Sequence, residues 1–150
     1  MMDSMKRHTF LRNLAAIPLL AVLPAVGAGP QVIVYKTPTC GCCGKWVEHL
    51  RQSGFAPKVT DLPNLSAVKQ SSGVPQNLQS CHTSMIDGYA IEGHVPADVI
   101  RQLLKEKPKV AGIAVPGMPM GSPGMEGAYK DKFNIVAFAQ DGTQKVYASR

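Results

Sequence analysis

Three of the four cysteines of this 150-residue chain stand within four positions, directly after a run of β-forming residues. The run is QVIVYK at positions 31–36, whose continuous apolar centre is typical of a buried strand. The segment at 44–54 then spaces its apolar residues by one, three and four positions, as on one face of a helix. The thiols of Cys40, Cys42 and Cys43 therefore lie between a strand and a helix, which restricts the chain to folds that contain such a unit.

The first 28 residues have the build of a secretory signal peptide. Basic residues occupy positions 6, 7 and 12, an apolar run extends from Leu14 to Val26, and small residues follow. This apolar run contains two prolines and is shorter than the roughly 20 residues that span a bilayer. We therefore predict a signal peptide over 1–28 and a periplasmic domain over 29–150, with membrane contact only during export.

Charge and length exclude some functions and leave the cysteines unexplained. The formal net charge is +6; the leader carries +2, so about +4 remains on the mature chain. The basic residues are scattered and not interleaved with aromatic residues, so nucleic-acid binding is not expected. The mature chain is long enough to bury a core without disulfides. Export places its thiols in an oxidising compartment, where they form disulfides or bind soft metals.

The middle of the chain alternates between strand and helix patterns. The segment FAPKVTDL predicts a second strand, and NLSAVKQ predicts a short second helix. The segment CHTSMIDGYAIEG predicts a hairpin about the dipeptide Asp87-Gly88. A third helix, PADVIRQLLKEK, is predicted to open at Pro96 and to stop at Pro108.

The last third of the chain adds a loop and a second hairpin. Residues 111–128 are rich in Gly, Pro and Met, and we predict a loop outside the core. A hairpin about Asp141-Gly142 follows. The complete order is βαβαββα with an added C-terminal β-hairpin, which predicts an α/β fold of the thioredoxin-like sandwich type.

The thiol cluster creates an electrostatic problem at the start of a helix. Backbone N–H groups and the helix dipole favour one thiolate there by about 0.3–1 kcal/mol. Two thiolates about 4 Å apart repel each other by roughly 4 kcal/mol in a surface-like dielectric. Three neighbouring thiols therefore stay protonated, pair as disulfides, or share a cation.

Disulfides and a metal both remain open from the residues alone. The Cα atoms of adjacent Cys42 and Cys43 are about 3.8 Å apart, closer than the usual disulfide range. This favours pairing Cys40 with Cys43 and Cys42 with the distant Cys81. In the metal alternative, soft thiolates select monovalent copper, zinc or an iron–sulfur cluster, and bridging sulfurs allow more than one cuprous ion.

Further candidate ligands lie outside the cluster. In the predicted fold, the third strand begins beside the loop that carries the thiols, which brings Cys81 to them. His82 follows directly, His94 closes the first hairpin, and Met118 and Met120 stand in the late loop. Thioether sulfur is a reasonable copper ligand and a poor zinc ligand, so the methionines favour copper.

These motifs together resemble a known family. The segments TPTCGCCGKWVEHLRQSGF, SCHTSMIDGYAIEGHVPADVIRQLL and GIAVPGMPMGSPGME are similar to secreted, thioredoxin-like metal-binding proteins of the CopG copper-resistance type, otherwise known as a domain of unknown function. The resemblance implies a copper site made of Cys40, Cys42, Cys43 and Cys81, and His94 also matches the family's motifs. It further implies interconversion of cuprous and cupric ions that helps copper export.

Three functions remain open at this point. The first is an envelope protein of copper resistance that binds one or more cuprous ions and works with a copper efflux system or a periplasmic copper carrier; whether it turns over as a copper oxidoreductase stays undecided. The second is a thiol–disulfide oxidoreductase that uses Cys40 and Cys43. The third is a binding domain with two ordinary disulfides. For the first, the predicted metal ligands are Cys40, Cys42, Cys43, Cys81, His94, Met118 and Met120.

Overall fold

The strand predicted before the thiols is observed, and the computed structural model describes residues 29–150 around it. The predicted signal peptide over 1–28 lies outside the described residues. The strands are β1 (Gln31–Lys36), β2 (Ala56–Asp61), β3 (Thr83–Ile86), β4 (Tyr89–Glu92), β5 (Gly112–Ala114), β6 (Asn134–Phe138) and β7 (Gln144–Ser149). The helices are α1 (Gly41–Gln52), α2 (Ser66–Ser71) and α3 (Ala97–Glu106), with a 3-10 turn at Gln76–Leu78. Within this range, none of the helices has the length and apolar character that a membrane span requires.

All seven strands belong to one mixed sheet in the order β2-β1-β3-β4-β5-β6-β7. The pairs β1–β2 and β4–β5 are parallel, and the remaining neighbours are antiparallel. The hairpin between β3 and β4 turns at Asp87 and Gly88, whose φ angles are 47° and 82°. Positive φ at both central residues is what a tight hairpin of this hand requires, so the Asp-Gly dipeptide specifies the turn.

The two faces of the sheet are covered by different helices. Side chains alternate between the faces along each strand. Ile91 of β4 and Ile113 of β5 pack with α1 and α3 in the larger core, in which Trp46 is wholly buried. Ala90 and Ala114, their neighbours in sequence, pack on the other face with Leu78 of the 3-10 turn. The thiol-bearing end of α1 is thereby fixed against the larger core.

The strand β5 corrects the prediction that residues 111–128 form a loop outside the core. Its three residues are buried and join β4 to β6, so the C-terminal hairpin continues the main sheet instead of standing apart. Three residues are too few for a periodicity to be recognised, and glycine weakens a strand signal. Gly112 is nevertheless required, because a Cβ there would lie 2.1 Å from the carbonyl oxygen of Ala90 and 2.7 Å from the Phe138 ring.

Helix α1 begins three residues earlier than the apolar spacing from Gly44 indicates. Cys40 is its N-cap residue, and the first helical hydrogen bond runs from the Gly44 N–H to the Cys40 carbonyl. Glycine and cysteine in the first turn carry no helical signal of their own. The earlier start places Cys42 and Cys43 inside the first turn, where backbone N–H groups have no partner within the helix.

The N-terminus of α3 is tied to α1 by a histidine. The Nε2 atom of His49 accepts a hydrogen bond from the Ala97 N–H at 3.1 Å, which satisfies one donor of the first turn of α3. An accepting Nε2 requires the neutral ring, and burial lowers the pKa of His49. This contact connects the helix that carries the thiols to the segment that begins just after His94.

Candidate metal centre

Three cysteines lie at the N-terminus of α1, and two of them form a disulfide. Cys40 and Cys43 are bonded, with Cα atoms 5.3 Å apart, which is the pairing favoured by the sequence. Cys42 and Cys81 carry free thiols, so the second expected disulfide is not formed. The Cys42 sulfur lies 3.5 Å from that of Cys40 and is half-buried.

The fold brings the fourth cysteine to this cluster. Cys81 lies two residues before β3, which runs antiparallel to β1 and so begins beside the loop that follows β1. The sulfur atoms of Cys40, Cys42, Cys43 and Cys81 all lie within 4.8 Å of one another. A single soft cation, or a small group of them, can contact all four at this spacing once the disulfide is reduced.

His94 offers an imidazole nitrogen to the same site. Its Nδ1 lies 2.7 Å from the carbonyl oxygen of Pro123, which can only accept, so Nδ1 carries the proton. The lone pair is therefore on Nε2, which lies 3.0 Å from the Cys81 sulfur. A backbone carbonyl that fixes the tautomer of a histidine is the usual outer partner of a metal-ligating imidazole.

His82 lies deeper, beneath the sulfur atoms. It is wholly buried between Trp46 and His94, with ring centroids 4.4 Å and 5.2 Å away, and its Nδ1 is 3.3 Å from the Cys81 sulfur. Its Nε2 has no hydrogen-bond partner among residues 29–150. Cys81, His82 and His94 therefore form a second group of donor atoms that shares Cys81 with the four cysteines.

Burial keeps these groups neutral in the absence of a cation. Desolvation, with Cys42 nearby, raises the pKa of the Cys81 thiol to about 11. Desolvation also lowers the pKa of His94 and lowers that of His82 well below its usual value. Neutral imidazoles are ready to ligate, whereas the Cys81 thiol must lose a proton, so metal binding here would release protons.

The two predicted methionines lie in different surroundings. The Met118 sulfur is 3.9 Å from that of Cys42, and the side chain is 50% exposed, so it stands at the solvent side of the cluster. Met120 instead lies against Gly127: its methyl carbon is 2.1 Å from the position that a Cβ on Gly127 would take. The geometry thus brings Met118 to the thiols and directs Met120 toward its own loop.

The late loop closes over the cluster at Gly124. This glycine has φ of +89°, and a Cβ there would lie 2.7 Å from the Cys42 carbonyl oxygen and 3.2 Å from Nδ1 of His94. Only glycine permits both the backbone conformation and the close approach. This close approach places the carbonyl oxygen of Pro123 within hydrogen-bond distance of the His94 ring.

Sequence reasoning missed the buried polar groups that support the site. The indole N–H of Trp46 donates to the Val95 carbonyl at 2.9 Å, just after His94. A buried carboxylate, Glu92, binds the backbone beside Cys81 through Ser80. Trp46 was recognisable as a core residue from its helical spacing, but no signal in the sequence separates Glu92 from a surface residue of a hairpin.

The fold and site together define a class of protein. It is a mixed α/β protein in which four cysteines and two histidines, brought from the N-terminus of α1 and from the segments flanking the β3–β4 hairpin, could hold a metal.

Comparisons with known proteins assign the family. Residues 78–125 match the family described as "Protein of unknown function, DUF411", and no curated protein matches the sequence. Two solved structures, described as copper resistance protein CopG in forms 1 and 2, are each 42% identical, with a TM-score of 0.77. In each case the match covers 81% of this chain and 98% of the other. The chain therefore belongs to the CopG copper resistance protein family, which confirms the resemblance seen in its motifs.

Proposed function

We propose that this protein is a periplasmic copper-binding protein of copper resistance that holds cuprous copper in its cysteine cluster. The single observation that carries the proposal is the convergence of four cysteine sulfurs within 4.8 Å of one another. His94 and Met118 complete the soft donor set from the segments that close over it. A thioredoxin-like origin of the βαβ-ββα part and an N-terminal export signal belong to the same proposal.

The donor set argues for a soft, low-charge cation. Thiolate and thioether sulfur select cuprous copper, whereas zinc binds thioether poorly. The raised pKa of Cys81, about 11, means that its thiolate forms only when a cation replaces the proton. The half-exposed Met118 gives copper a route between the cluster and a carrier or an efflux system.

The disulfide between Cys40 and Cys43 couples metal capacity to redox state. With this bond formed, Cys42, Cys81, His94 and Met118 remain as donors; with it reduced, two more thiolates join them. The reduced pair can also supply electrons: two cupric ions become two cuprous ions as the two thiols form one disulfide and release two protons. One such reduction of two cupric ions needs no other reductant, and each further round would require an external thiol reductant that reopens the disulfide.

A copper titration in two thiol states tests the proposal. The mature domain, fully reduced and handled anaerobically, is expected to bind more than one Cu(I) per chain, because four thiolates can bridge ions. The form with the Cys40–Cys43 disulfide is expected to bind fewer ions and to bind them more weakly, because two soft thiolate ligands are lost. Bound metal is counted after gel filtration, and affinity is measured against a chromophoric Cu(I) chelator.

The control in this titration is a variant in which all four cysteines are serine. Binding by the reduced protein no greater than that of this variant would refute the proposed function. Equal binding by the reduced and disulfide forms would refute the coupling to redox state while leaving copper binding in place.

A second function, thiol–disulfide oxidoreductase, is favoured by one specific observation. Cys40 is the half-buried N-cap of α1 and is bonded to the buried Cys43, so the disulfide joins a partly exposed residue to a shielded one. If this is the function, insulin reduction will survive Cys42→Ser and be lost in Cys40→Ser. If copper binding is the function, both variants will show only background insulin reduction.

A further inference from the structure

A buried ion pair lies on the sheet face opposite α1, next to the segment that leads into Cys81. The carboxylate of Glu92, at the end of β4, is wholly buried. One oxygen is 2.5 Å from the Lys69 ammonium and accepts the Ser80 backbone N–H at 2.6 Å. The other oxygen accepts the Thr83 hydroxyl at 2.6 Å, and Lys69 also donates to that hydroxyl at 3.1 Å. The carboxylate is therefore fully engaged by groups of the protein.

Stability alone does not account for such a pair. Taking both charges out of water costs several kcal/mol each, so apolar replacement of a buried pair is often neutral or stabilising. The pair must therefore be judged by what it holds in place. Among the described residues 29–150, its one backbone partner is Ser80, the residue directly before Cys81.

Ser80 connects the two segments that bring ligands from outside α1. Its hydroxyl donates to the Gly117 carbonyl oxygen at 2.5 Å, and Gly117 directly precedes Met118. Its backbone N–H is held by Glu92. One residue thereby fixes the start of the cysteine segment and the start of the methionine-bearing loop relative to each other.

We propose that Glu92, held by Lys69, is a positioning residue for the metal centre and acts through Ser80. Its carboxylate anchors the Ser80 backbone, and Ser80 in turn sets the position of Cys81 and of the loop that bears Met118. Loss of the anchor frees Cys81 from its place beside His94. The consequence for copper rests on the proposed function, whereas the consequence for the geometry of Cys81 does not.

A matched pair of serine variants tests the second step of the proposal, the bond from the Ser80 hydroxyl to Gly117. Ser80→Ala removes the hydroxyl that joins the two segments. Ser84→Ala removes a wholly buried hydroxyl that has no partner within residues 29–150. In the disulfide form, iodoacetamide labelling of Cys81 relative to Cys42 is expected to rise about tenfold in Ser80→Ala and to stay at the wild-type ratio in Ser84→Ala. Cu(I) affinity of the reduced protein should fall about tenfold in Ser80→Ala alone, the usual effect of losing an outer partner.

A double variant tests the carboxylate itself. Lys69→Met with Glu92→Leu replaces the ion pair by apolar groups but leaves the Thr83 hydroxyl and the Ser80 N–H without their acceptor. The protein should therefore still fold, with a lowered thermal midpoint, while Cys81 labelling rises. A wild-type labelling ratio in the folded double variant would overturn the role of Glu92, and a wild-type ratio in Ser80→Ala would overturn the role of the Ser80 hydroxyl. If the double variant does not fold, Lys69→Met with Glu92→Gln takes its place: the neutral amide holds the Ser80 N–H more weakly than the carboxylate does, so Cys81 labelling should still rise, and a wild-type ratio there would overturn the role of Glu92. Raised labelling without Cu(I) binding by any protein, wild type included, would uphold the anchor and refute the copper function.

Discussion

The Cys81→Ser variant of the reduced protein is expected to bind Cu(I) roughly 100-fold more weakly than wild type, a loss on the order of 3 kcal/mol. Cys81 is the one cysteine that belongs to both donor groups, the four cysteines and the group it forms with His82 and His94. Its removal therefore takes a thiolate from the cluster and disconnects the imidazole nitrogen that lies 3.0 Å away.

Competition with a chromophoric Cu(I) chelator under anaerobic conditions measures this loss. Met120→Leu is the matched control, because the Met120 side chain lies against Gly127 and should leave the affinity at the wild-type value. An affinity of Cys81→Ser within about threefold of wild type would contradict a copper site centred on Cys81. A large loss in Met120→Leu would instead mean that the loop rearranges to ligate through Met120.

Trp46→Ala is expected to lower the free energy of unfolding by about 3–5 kcal/mol, the largest stability effect of a single substitution that we predict. Trp46 is wholly buried in the larger core, where its ring packs on His82. Its indole N–H also satisfies the Val95 carbonyl, which would be left without that donor. The deletion therefore opens a cavity and removes a buried hydrogen bond directly under the site.

Urea unfolding followed by circular dichroism measures this effect, because Trp46 is the chain's single tryptophan and its fluorescence is lost with it. Val146→Ala is the control: its side chain is 58% exposed, and the change should stay within about 0.5 kcal/mol. Trp46→Phe should fall between the two. A loss below about 1 kcal/mol in Trp46→Ala would show that the core closes around the missing ring.

The sequence predicted those parts of the fold that have strong local signals. Both hairpins were marked by an Asp-Gly dipeptide, and the apolar spacing around Trp46 identified α1. The strand β5 carried no such signal, because three residues that include Gly112 become a strand only when β4 and β6 flank them. The earlier start of α1 likewise depends on backbone contacts at Cys40 that spacing does not encode.

The ligand residues of the candidate site were predictable from the sequence, but the groups that hold these residues in place were less so. The clustered cysteines were recognisable from their spacing, and the predicted order of elements placed Cys81 beside them, as observed. The tautomer of His94 depends on a carbonyl 29 residues away, which no pattern reveals. The burial of Glu92 is also hidden, since a charged residue at a hairpin end ordinarily faces solvent.

The joining of the C-terminal hairpin to the main sheet has a consequence for how this architecture can vary. The segment that carries Met118, Pro123 and Gly124 leaves the sheet at β5 and returns at β6, and these two strands are bonded to each other. The two ends of this segment are therefore held together whatever its length or composition. Lengthening a loop whose ends are already joined adds little loop-closure entropy. The segment can thus be exchanged while the sheet and the cysteines stay in place, and grafting a different loop between Pro116 and Lys132, which keeps the core residues Val115 and Phe133, is a route to altering metal preference.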